Sequence, residues 1–99
     1  MVEYEVTCAL DPSVADAWRR WIDGHAAEVV AAGGFSGASV LRVDGAAVPT
    51  WVVRYVAPSI AVIEAYLHEH APRLRADATA RFGDGMVASR RVLVREVGG

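Results

Sequence analysis

The chain has no lysine, and all ten of its basic residues are arginine. Schiff-base and lysine general-base chemistry are therefore excluded. A single cysteine, Cys8, leaves no partner for an internal disulfide, and its place in an alternating segment marks it as a buried, reduced thiol without a redox role. No apolar run approaches the roughly 20 residues that a bilayer span requires, and no basic patch precedes an apolar segment at the N-terminus. Neither anchor nor signal peptide is expected, and the expected compartment is the cytoplasm. A surplus of positive charge is also missing. The net charge is −2, which argues against a dedicated nucleic-acid or anionic-membrane surface. There is no Walker loop, dinucleotide fingerprint, nucleophile elbow or cysteine pair.

What is present is apolar and alanine-rich. Ninety-nine residues bound a single domain over 1–99, and a hydrophobic content of 54% is high for a chain with so much surface to cover. Part of that apolar surface is expected to meet a second subunit. Abundant alanine beside the absence of lysine points to a GC-rich bacterial genome.

Periodicity gives the order of elements. "VEYEVTCA" alternates, with Val2, Tyr4, Val6 and Cys8 on one face and Glu3, Glu5 and Thr7 on the other, and predicts a strand. Asp11 and Pro12 open a helix as cap and first residue, and the stripe Val14, Trp18, Trp21/Ile22, His25, Val29 carries it to Gly33-Gly34. "ASVLRV" and "TWVVRYV" form a hairpin around a turn containing Asp44-Gly45 and Pro49. A second helix starts at Ser59 with the stripe Ile60, Ile63, Leu67, His70, Leu74. Pro72 breaks or kinks it, and Leu74, Ala78 and Phe82 continue the apolar side to Gly83. "MVASRRVLVREV" is the last strand, and Gly98-Gly99 reads as a loose end. The order β-α-β-β-α-β predicts an α+β, ferredoxin-like fold: an antiparallel four-stranded sheet in the order 4-1-3-2 with both helices on one face.

That arrangement fixes most strand faces. Trp51, Val53 and Tyr55 belong under the helices with Tyr4 and Val6, while Arg54 points to the open face, placed to pair with a glutamate of the first strand. The last strand carries apolar residues on both faces, so either Arg90 or Arg91 joins the open side. A mixed face holding Val52, Val56, Glu3, Glu5 and Arg54 fits a homodimer formed sheet to sheet; the plainer alternative is an exposed sheet with weak surface ion pairs.

"WIDGHAAEVVAAGGFSGASVLRV", "WVVRYVAPS" and "YLHEHAPRLRADATARFGDGMVASRRVL" resemble the family called domain of unknown function 4286, within the dimeric α/β-barrel superfamily. The resemblance covers nearly the whole chain, and Glu69-His70-Ala71-Pro72 to Phe82-Gly83 is its most specific part. It implies a ferredoxin-like protomer whose sheet pairs with a partner's sheet, and a cleft between helices and sheet in each protomer. Superfamily relatives include cofactor-independent antibiotic-biosynthesis monooxygenases, muconolactone-isomerase-like proteins, polyketide cyclases and haem-degrading monooxygenases. No catalytic residue is carried over from the family.

His25 is the candidate that the residues themselves single out. It falls on an apolar helical stripe opposite Tyr4, Trp51 and Tyr55, with Trp18 and Trp21 within two turns. Such walls suit a flat, mostly apolar or aromatic small molecule, with His25 as general base and Tyr55 orienting an oxygen or stabilising an enolate. No cofactor or metal is required. Tyr4, Trp18, Trp21, Trp51 and His70 are the candidate ligand contacts. Each has a structural alternative: aromatics fill small cores, His25 can bond a backbone carbonyl, and His70, two residues before Pro72, can bond the last free carbonyls of its helix. His68 and His70, two apart on a helix, do not share a face and supply no metal site. The arginines of "RLRADATAR" read as a solvated outer face. RNA recognition is disfavoured, because Trp51 and Tyr55 should lie under the helices and the net charge is negative. The two functional readings are a small cofactor-independent enzyme and a non-catalytic dimeric binding or interaction module.

Overall fold

Alternation in the first strand organises the sheet. In the computed structural model, which describes residues 1–97, β1 (Val2–Leu10) is central, with β3 (Thr50–Ala57) on one side and β4 (Met86–Val94) on the other; β2 (Gly37–Arg42) lies outside β3. The sheet is antiparallel in the order β2-β3-β1-β4, the expected ferredoxin-like order. Gly98 and Gly99, the expected loose end, lie outside the described residues.

The helices form where the caps predict. α1 (Pro12–Gly33) begins with the Asp11 carboxylate accepting from the Ser13 amide at 2.9 Å, and it stops at Gly34. Gly34 holds φ +69°, a left-handed turn that a side chain resists. The second helical segment is split, as Pro72 requires. α2 (Ile60–Glu69) ends at His70, and α3 (Ala71–Phe82) restarts with the proline in its first turn, where no amide is needed. A short 3₁₀ turn, Gly83–Gly85, leads into β4.

The core lies between helices and sheet. Tyr4, Cys8, Val53 and Tyr55 from the sheet meet Trp18, Ile22 and Val29 of α1, Ile63 and Tyr66 of α2 and Leu74 of α3. The inward stripe of α2 is rotated from the one expected. Ile60 is 44% exposed, and Tyr66 takes the inward place. A 3.6-residue period permits the i+3 step from Ile63 to Tyr66 as readily as the i+4 step to Leu67, which stays half-buried. Phe35, just past the helix stop, is also core and packs among Tyr4, Tyr55 and Tyr66 with ring centroids 5.2 to 6.5 Å apart.

The register resolves the last strand. Glu5 stands opposite Arg54 on β3 and Arg91 on β4, and both guanidinium groups donate to its carboxylate, at 2.9 and 2.8 Å. Arg91 therefore belongs to the open face and Arg90, opposite Val6, to the helix face. Burial pushes the Glu5 carboxyl upward, but the bonds from Arg91 and Arg54 outweigh it and hold the group below its ordinary value of 4.5.

Two outcomes follow from this packing. A Cβ at Gly33 would press on the Phe35 ring edge and come within 3.0 Å of Tyr66, whereas one at Gly24 in the same helix meets nothing within 4 Å. In urea unfolding, Gly24→Ala should add up to about 1 kcal/mol through helix propensity. Gly33→Ala should lose about 1–3 kcal/mol through overpacking. Because the Glu5 pKa is depressed on folding, its contribution is complete above pH 4.5 and is lost as pH falls through the lower folded value. Glu5→Gln should flatten that acid limb and cost about 1 kcal/mol at neutral pH, a modest figure because the arginine side chains are 44% and 66% exposed and water screens them.

Candidate functional site

A cleft opens where the helix layer stops short of β4. On the helix face of the sheet, Arg90, Val92 and Val94 are exposed, and Val6 is only half-buried although its neighbours Tyr4 and Cys8 are covered. Val6 forms part of the floor, α1 and α3 the opposite wall. The enclosed room is about 50 Å³, within a cleft of about 480 Å³ when its solvent-facing mouth is counted. About 150 Å³ of enclosed space holds a benzene ring. A ligand ring must therefore occupy the mouth or displace a wall.

His25 and Tyr55 both line this cleft, together with Tyr4, Trp18 and Trp21. The His25 ring stacks on Trp21 at 4.2 Å between centroids, and Trp21 packs edge-on against Phe82 at 5.1 Å. Trp21, His25 and Phe82 are only half-buried, so this stack is the wall with most freedom to move. Two sequence candidates lie elsewhere. Trp51 does not line the cleft: it packs on the far side of Trp18, 5.4 Å away, beside the Asp44-Gly45 turn. His70 is the junction of α2 and α3, where its amide donates to the Tyr66 carbonyl at 2.9 Å and its ring lies 3.8 Å from the Glu69 carboxylate. The helix breaks there ahead of Pro72, and His70 is not part of the cleft lining.

Two buried polar atoms beside the cleft have no protein partner, Trp18 Nε1 and His25 Nδ1. A buried donor or acceptor left unpaired costs about 1–3 kcal/mol, so such atoms are ordinarily satisfied by water or a ligand. The backbone carbonyl bond that would have made His25 purely structural is not formed at Nδ1.

Protonation states follow from burial. Desolvation lowers the His25 pKa below 6.5; Glu28 and Asp77 pull it upward, and Arg81 adds to the lowering. The imidazole is neutral at pH 7 and can accept a proton. Tyr55 is pushed far above its ordinary value by burial, with further upward contributions from Tyr66, Cys8 and Tyr4, so it stays a hydroxyl donor. Burial likewise raises Tyr66 to about 12 and the Cys8 thiol to about 11, which removes Cys8 as a nucleophile. Among the described residues no three His, Cys, Asp or Glu side chains gather as a metal site, and no helix is long and apolar enough to cross a membrane.

Sequence reasoning missed Tyr66, Arg75 and Arg90. Arg75, read as part of a solvated outer face, lines the cleft and donates from Nη2 to the Tyr4 hydroxyl at 3.1 Å. It follows buried Leu74 and precedes buried Ala78 by three positions, which sets it on the flank of the inward stripe. That spacing was the available signal. Arg90 could be assigned only once the register of β4 was known.

Comparison with solved structures gives the fold. A variant of SnoaB, a cofactor-independent oxygenase from Streptomyces nogalater, superposes with a TM-score of 0.75 at 12% identity, covering 98% of this chain and 94% of that one. MhuD, a haem-degrader from Mycobacterium tuberculosis solved with two haems in its active site, superposes with a TM-score of 0.71 at 18% identity, covering 100% and 99%. At these identities the likeness is one of fold. No curated protein matches the chain in sequence. The model of the family described as "Domain of unknown function (DUF4286)" matches residues 1–96, and the chain belongs to that family.

Proposed function

We propose that the chain is a small cytoplasmic, single-domain homodimer that binds a flat aromatic small molecule in each helix–sheet cleft and acts on it by cofactor-independent proton transfer. The observation that carries this reading is the pair of unpartnered buried ring nitrogens, Trp18 Nε1 and His25 Nδ1, beside an open cleft. In this reading neutral His25 takes a proton from an acidic hydroxyl or carbon of the ligand. Tyr55, kept protonated, donates to the oxygen on which negative charge then develops. Tyr4, Trp18 and Trp21 form the walls. The likeness in fold to a cofactor-independent oxygenase and a haem-degrader supports chemistry of the monooxygenase, cyclase or isomerase kind as an analogy. The buried thiol of Cys8 suits a reducing cytoplasm.

The second reading is a binding module without chemistry, and the small enclosed volume favours it. Oxygen uptake with 1,4-dihydroxynaphthalene, whose anion reacts with dioxygen unaided, separates the two. Under the enzyme reading the protein accelerates uptake over buffer, and His25→Ala lowers the rate about 100-fold, the scale of a lost general base, with little change in Tm. No acceleration, with the compound still shifting the Trp18 indole resonance, would leave the binding module. The same variant has a pH signature. His25 binds its proton less readily folded than unfolded, so wild-type stability is flat above pH 6.5 and declines as pH falls from 6.5 toward the lower folded value. His25→Ala should remove that decline and leave the Glu5 limb below pH 4.5.

Assembly is proposed through the open face of the sheet. Leu41 and Val87 are 44% and 68% exposed there, beside half-buried Val52, Val56 and Leu93, around the Arg54–Glu5–Arg91 cluster. Sedimentation equilibrium at micromolar concentration should return twice the chain mass of 10.6 kDa, and Leu41→Glu with Val87→Arg should return one chain. A wild-type mass of one chain would end the dimer proposal.

A further inference from the structure

The cleft is basic on a chain that is acidic overall. Arg75 from α3 and Arg90 from β4 both line it, and among the described residues no carboxylate does. Of the ion pairs among the described residues, none involves either arginine. Glu28 and Asp77, the acids that act on His25, stand outside the lining, and Asp77 is engaged by Arg81 at 3.4 Å.

Arg90 occupies an unusual place. The helix face of the sheet is apolar or aromatic along β1, β3 and β4 except at this position. The other charged residue on that face, Arg42 at the end of the edge strand, has Asp44 as a counter-ion at 3.9 Å. Among the described residues Arg90 has none, and it faces the half-buried Val6 on the cleft floor. Arg75 has the Tyr4 hydroxyl as its hydrogen-bond partner, a neutral group that leaves its charge uncompensated. Both guanidinium groups, with that of Arg73, act on the same phenol, Tyr66, which also lines the cleft. Two uncompensated like charges in one cleft repel each other, and an anion relieves both.

We infer that the ligand is an aromatic acid whose carboxylate is held by Arg75 and Arg90 at the mouth of the cleft, with its ring directed inward toward Trp18, Trp21 and His25. This deepens the reading of the cleft as a small-molecule site and rests on it. Arginine presents a planar fork that matches a carboxylate with two parallel bonds, and the exposed mouth lets the anion keep part of its hydration. The ring then lies against the aromatic walls, so the charged and apolar parts of the cleft are met at opposite ends of one molecule.

The test compares benzoate with benzyl alcohol, which share a ring and differ in charge, followed by NMR through the indole N–H of Trp18 and by titration at low and high salt. Benzoate should bind about 10-fold more tightly than the alcohol, as expected for one charge-assisted contact of about 1.4 kcal/mol. Arg75→Gln with Arg90→Gln should abolish that preference while alcohol binding stays within about twofold. Both side chains are exposed, and Arg90→Gln alone breaks no bond in the structure, so it serves as the second variant should the Tyr4 contact matter for folding. Equal binding of the two probes, unmoved by either variant or by salt, would overturn the anion inference and leave the cleft as a neutral-ligand site. Failure of both probes to perturb the Trp18 indole would overturn the cleft reading itself.

Discussion

The register of β1 between β3 and β4 is the constraint on which the rest depends, and Glu5 marks it chemically. Its carboxylate accepts from Arg54 on one neighbour and Arg91 on the other, so three strands are tied at a single level. Side chains alternate along a strand with a period of two, and a one-residue slip of β4 would exchange its faces. Arg91 would then point among the helices and Arg90 would leave the cleft. The ion pairs contribute modestly to stability, because water reaches both arginines; what a slip would cost is the covered set of apolar side chains on the helix face.

From that register the cleft follows by geometry. Aromatic side chains from β1 and β3 fill the space beneath α1 and α2, whereas β4 presents no aromatic residue on that face, and its Arg90, Val92 and Val94 stay exposed. The core is close-packed on the Phe35 side, where Gly33 allows the ring in, and loose on the Arg90 side. The Trp21–His25–Phe82 stack is half-buried, and Trp21 and His25 form part of the cleft wall.

The chemistry of the cleft is a consequence of burial more than of residue type. Desolvation keeps His25 neutral and Tyr55 protonated at pH 7, and both line the same cleft. The same desolvation disables Cys8. Charge enters only at the mouth, through Arg75 and Arg90, where solvation makes it inexpensive to hold.

The sequence alone determined the element order, the sheet order and the faces of β1 and β3. Their periods of 2 and 3.6, the Asp11-Pro12 cap and the Gly34 stop are local signals that need no tertiary knowledge. It also brought His25, Tyr55, Tyr4, Trp18 and Trp21 to the helix–sheet side, because a stripe and an alternation each define a face. What it left open were relations between elements. The face of β4 depends on pairing with Glu5, since apolar residues on both sides of that strand cancel its own pattern. Trp51 and His70 stand outside the lining, the one packed on Trp18 and the other at the junction of α2 and α3. The presence of Arg75 and Arg90 in the cleft depends on where the helix layer ends. These are questions of distance between segments far apart in sequence, and only the folded packing decides them.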